Sequence, residues 1–107
     1  MNLNDVLLAW PRAVQAVRID TAGWSEVAGN SRDAVPLEEV VAIRDMWKTL
    51  GERAGYGALR ELASNDAECT LLLASDHRRA IAVTEPRTDD SLAVRAEAIS
   101  ALLHAAD

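Results

Sequence analysis

The chain has 107 residues, half of them apolar, and 17 acidic side chains against 11 basic ones give a net charge of −6. That balance repels phosphate polymers and anionic lipid, so neither nucleic acid nor membrane is an expected partner. With five glycines and three prolines in such an apolar chain, wholesale disorder is excluded as well. The length suits one domain, residues 1–107, around a single core. One cysteine, Cys69, excludes an intrachain disulfide and points to a reducing, cytoplasmic setting. The opening Met1-Asn-Leu-Asn-Asp has no basic leader, and no apolar run reaches membrane-spanning length, so neither secretion nor insertion is expected.

In chain order, Leu3 to Ala9 predicts a short helix carrying Leu3, Val6, Leu7 and Leu8, stopped by Pro11, which disfavours helical geometry at Trp10. In AVQAVRID, Gln15, Val17 and Ile19 alternate with Ala16, Arg18 and Asp20, the period of a strand buried on one face. Thr21-Ala22-Gly23 supplies a turn, and WSEVAG returns antiparallel beside the first strand. Gly29 to Asp33 is the most loop-like run in the chain.

Pro36 suits the first position of a long helix, and Glu38 and Glu39 complement its dipole. Val40, Ile43, Trp47, Leu50 and Ala54 recur at three and four as its core stripe. Leu37 and Val41 fall beside the stems of Arg44 and Lys48 in a second, weaker strip, free to face solvent or another chain. Gly51, Gly55 and Gly57 mark the exit. ALRELASND suits either a helix, through Leu59, Leu62 and Ala63, or a strand, through its place before a hairpin; the strand is preferred.

Cys69 to Ala74 and Ala80 to Thr84 are apolar on both sides of the pleat, as in central strands covered on both faces. Pro86 stops the second of them. Thr88, Asp89 and Asp90 offer caps for a final helix along Leu92, Ala96, Ile99 and Leu103. The expected fold is α+β, a mostly antiparallel five-stranded sheet flanked by helices in the order α-β-β-α-β-β-β-α.

This order resembles the roadblock/dynein light chain family. The residues that carry it are AVQAVRIDTAGWSEVAGN, with the hairpin turn Asp20-Thr21-Ala22-Gly23, then VPLEEVVAIRDMWKTLGERAG, and the closing hairpin and helix. It spans about Asn4 to Leu103. The resemblance implies a homodimer in which the second helices pack side by side and the third strands pair into one continuous sheet. It also implies a scaffold or regulator, in bacteria often of a Ras-like small GTPase. The dimer residues implied are Leu37, Val41, Arg44 and Lys48 on the helix and Leu59 and Glu61 by the edge strand. The strip of Leu37 and Val41 would meet itself across a two-fold axis, and the weak alternation of ALRELASND suits an edge completed by its twin.

No cluster points to catalysis. His77, Arg78 and Arg79 would suit an anion contact supplied to another protein, but polar residues are what a hairpin tip requires, and the tip is read as a solvated turn. Cys69 lies in an apolar strand with no adjacent basic group, the setting of a buried inert thiol. His104 is placed to serve the carbonyls ending the last helix. Two histidines and one cysteine far apart make no zinc pattern, Glu38 and Glu39 point in different directions, and no glycine-rich loop follows a strand. Trp10 and Trp24 are read mainly as core in a chain without Phe, with Trp24 also the candidate partner contact.

The chain therefore reads as a non-enzymatic interaction domain without cofactor or metal. Two other readings stay open. A type III secretion chaperone is also a small acidic α+β dimer, but usually carries an extra strand before the middle helix, for which residues 30–35 leave little room. A small-molecule sensor of profilin-like or PAS-like shape needs polar groups converging between sheet and helix, and none is evident.

Overall fold

Helix α1 (Leu3–Ala9) leads into the hairpin β1 (Gln15–Asp20) and β2 (Ser25–Gly29). After helix α2 (Leu37–Arg53) come β3 (Glu61–Asn65), β4 (Cys69–Ser75) and β5 (Arg79–Pro86), and helix α3 (Leu92–Ala105) ends the fold. The structure is a computed structural model that describes residues 2–20, 24–29, 32, 34–55, 57–76 and 78–105. The five strands form one sheet in the order β2-β1-β5-β4-β3, and every neighbouring pair is antiparallel. The element order is the one expected, and the ambiguous 58–66 segment contains a strand.

The sheet is covered on both faces. On one side α1 and α3 pack Leu3, Val6, Ile99 and Leu103 against Ala16, Leu72, Ala74, Ile81 and Val83. On the other, Val40 of α2 seals Val17, Ile19, Leu71, Leu73, Ala80 and Ala82. Adjacent residues of β4 and β5 thus enter opposite cores, which is why residues 71–74 and 80–83 are apolar on both sides of the pleat. β1 was expected to bury one face, yet Ala16 is fully buried and Arg18 half-buried on the other. The small alanine hides a covered face that a polarity pattern reads as open.

Local chemistry sets the ends. The Asn2 side chain accepts the Asn4 amide at the start of α1. α2 begins one residue after Pro36. At α3 the cap is Ser91, whose Oγ accepts the Val94 amide at 3.4 Å, rather than Thr88, Asp89 or Asp90. Thr88 instead donates its amide to Thr70 Oγ1 at 3.0 Å, inside the fold. Gly29 has φ +97°, and a Cβ there would sit 2.5 Å from the Val14 carbonyl oxygen, so only glycine fits. The predicted turn residues Thr21, Ala22 and Gly23, most of the following loop (Asn30, Ser31, Asp33) and His77 lie outside the described residues.

Candidate interaction site

Helix α2 covers the sheet only with its first half. Val40 is fully buried and Leu37, Val41 and Ile43 are half-buried against the same core. Trp47 lies seven residues on, nearly two turns, and so on the same side as Val40. It is nevertheless 43% exposed, with Met46 and Leu50 beside it at 57% and 52%. Among the described residues only the first half of α2 packs on the α2-side core. This corrects the expected core stripe, whose members Trp47, Leu50 and Ala54 are exposed, while Leu37 and Val41 of the second strip are half-buried against the α2-side core.

β3 ends the sheet on one side. The Ser75 amide bonds the Arg60 carbonyl and the Asp66 amide bonds the Cys69 carbonyl, at 2.8 and 2.9 Å. In that register Leu62 and Ser64 direct their backbone groups to β4, while Glu61, Ala63 and Asn65 direct theirs outward. No strand lies beyond them among the described residues. The outward row of amides and the apolar half-helix are thus both left uncovered. Of the predicted contact residues, Leu59 is half-buried in the α2-side core, Arg44 is largely covered, and Lys48 and Glu61 are exposed.

Trp10 and Trp24 part ways. Trp10 is core, and its Nε1 donates to the buried Glu85 carboxylate at 2.9 Å. Trp24 is 53% exposed, with the Arg18 guanidinium over its ring at 5.2 Å, while Arg18 Nη2 reaches Glu26 Oε1 at 2.9 Å. This polar-aromatic group sits by the β1–β2 turn, at the edge opposite β3.

Each of the three hairpins is closed by an aspartate. Asp20 Oδ1 accepts the Trp24 amide at 3.0 Å. Asp66 Oδ1 accepts the amides of Glu68 and Cys69, both at 2.7 Å, and Asp76 Oδ1 those of Arg78 and Arg79 at 2.7 and 2.9 Å. The amides of Cys69 and Glu68 hold the Asp66 carboxyl below the usual carboxylate range. Arg78 is exposed at its tip, whereas Arg79 reaches back to the Leu103 carbonyl at 3.4 Å. Arg79 therefore serves the end of α3, the part expected of His104. Cys69 is half-buried rather than buried.

Among the described residues no group of three or more His, Cys, Asp or Glu side chains gathers as metal ligands, and no helix is long and apolar enough to cross a membrane. A cleft of about 620 Å³ lies at the β3 end of the sheet, where residues of α2 and α3 from opposite faces meet. Arg44, Lys48 and Arg60 line it on one side, Ser100 and His104 on the other.

Comparison with solved structures finds close likeness in shape at low identity. The chain is similar to Myxococcus xanthus MglB, with a TM-score of 0.65 and 14% identity over 92% of this chain and 79% of that one. It is also similar to a Roadblock/LC7 domain from Streptomyces avermitilis, with a TM-score of 0.57 and 15% identity over 95% and 94% of the two chains. No family model matches the sequence, and no curated protein matches it.

Proposed function

Starting from the roadblock/LC7 fold, we propose that this protein is a non-enzymatic homodimeric scaffold or regulator whose partner is a Ras-like small GTPase. The observations that carry the reading are the uncovered Met46, Trp47 and Leu50 on α2 and the outward amides of β3. A second copy would cover both at once: α2 against α2 buries the apolar patch, and β3 against β3 satisfies the edge. Of the residues expected at the contact, Arg44, Lys48 and Glu61 line the cleft next to α2, and Leu37, Val41 and Leu59 pack on the α2-side core.

A regulator of this kind acts by binding one conformation of the partner's switch loops and needs to supply no catalytic group. Trp24, exposed and stacked on Arg18, is the residue assigned to partner contact. The chaperone alternative usually carries an extra strand before the middle helix, for which residues 30–35 leave little room.

The test is to titrate purified Ras-like GTPases from the same genome, loaded with GDP or a non-hydrolysable GTP analogue, and measure binding and GTP hydrolysis. Preferential binding to one nucleotide state is expected, reduced by Trp24→Ala. Equal failure with both states would contradict the partner assignment. A turnover of the protein's own, lost on changing His77 or Cys69, would contradict the non-enzymatic reading.

A further inference from the structure

The cleft beside α2 has a volume of about 620 Å³, inside the range of roughly 300–1,000 Å³ usual for small-molecule sites. Arg44 and Lys48 reach it from successive turns of α2, and Arg60 from the residue before β3. Because the Arg60 carbonyl accepts the Ser75 amide at 2.8 Å, Arg60 continues the β3 register and its side chain lies on the α2 face with Leu62. Glu61 is consequently turned to the α3 face, with Ser100 and His104. The three cations share one side of the cleft.

Their pairing is incomplete. Arg44 lies 3.0 Å from Asp45, but among the described residues Lys48 and Arg60 have no carboxylate partner. Asp76 also borders the cleft, and its Oδ1 accepts the turn amides of Arg78 and Arg79. In a chain of net charge −6 this is a local reversal of sign, and over distances below the Debye length of about 8–10 Å the local charge decides.

We propose that the cleft binds a small phosphate-bearing ligand. Its anionic group is held by the guanidinium forks of Arg44 and Arg60 and the ammonium of Lys48. Its polar remainder faces Ser75, Ser100 and His104. The site does not rest on a GTPase partner, but it adjoins the surface assigned to self-association, because Arg44, Lys48 and Glu61 line both.

The experiment is a calorimetric titration of the full chain with pyrophosphate, with citrate in parallel and the solution mass of every sample recorded. Saturable binding of pyrophosphate is expected, weakened about tenfold or more by Lys48→Gln and by Arg60→Gln. Both side chains are exposed in the single chain, so neither variant should unfold it; Lys48 also borders the self-association surface, so its result is read beside its solution mass. Glu61→Gln, which removes a repelling charge, should bind at least as well. A mass unchanged by Arg60→Gln separates loss of ligand from loss of self-association. No saturation at millimolar pyrophosphate would overturn the proposal, as would binding indifferent to both substitutions. Tighter binding of citrate would overturn its phosphate assignment.

Discussion

Arg95 of α3 grips the fully buried Glu85 of β5 with two nitrogens, Nε lying 3.1 Å from Oε1 and Nη2 contacting Oε2. Trp10, just after α1, adds its Nε1 to the same carboxylate at 2.9 Å and places its ring under the guanidinium at 4.7 Å. One buried charge thus ties three elements together. Removing one partner of such a pair strands the other and costs about 3–5 kcal/mol. Arg95→Met should therefore lower the unfolding free energy by about that amount in a denaturant titration. A loss below about 1 kcal/mol would mean that the pair does not fasten α3.

Thr84 is the reverse case. Its Oγ1 is buried with no hydrogen-bond partner among the described residues, as is Oε1 of Gln15 directly across the ladder, although Gln15 Nε2 donates to the Val35 carbonyl at 2.7 Å. A buried hydroxyl without a partner carries its desolvation cost unrelieved. Thr84→Val keeps the shape and should stabilise the fold by about 1 kcal/mol, read from the same titration. A destabilisation of that size would show that the hydroxyl is hydrogen-bonded in solution.

Proline separates the two sides of β3. The Ala63 amide points outward and the Leu62 amide toward β4, so Ala63→Pro removes a donor only from the free edge. Ala63→Pro should keep the fold and abolish self-association, while Leu62→Pro should unfold the β3–β4 hairpin. Circular dichroism and light scattering on the two variants distinguish these outcomes; a dimeric Ala63→Pro protein would place the contact elsewhere.

The exposed half of α2 offers a cleaner probe than its buried half. Val41→Glu puts a charge against the α2-side core, so it should destabilise the monomer by about 1–3 kcal/mol as well as the dimer. Leu50→Glu, at a half-exposed position, should leave the melting of the monomer nearly unchanged and weaken the dimer. Arg78→Ala, at an exposed hairpin tip, should change neither. Equal self-association by parent and Leu50→Glu would remove α2 from the interface.

The sequence made the elements legible where one physical signal dominated. Pro11 and the Leu3, Val6, Leu7 stripe delimit α1, and the unbroken apolar runs in β4 and β5 announce a sheet covered on both faces. The resemblance to the roadblock family holds at the level of the fold. Exposure on α2 is not legible because a helical wheel reports direction, not how much of the helix is covered; Trp47 points as Val40 does and is 43% exposed. Glu85 reads as a polar residue before a proline, and nothing local links it to Trp10, 75 positions earlier. The cleft was hidden for the same reason, since Lys48, Arg60 and His104 come together only when α2, β3 and α3 are in place.

The central claim is that a second copy of the chain covers α2 and the β3 edge. It is tested most directly by sedimentation equilibrium over a concentration series. The account predicts a mass twice the 11.6 kDa of the chain, falling toward the monomer value only on dilution or in Ala63→Pro. A mass of 11.6 kDa at every concentration would contradict it.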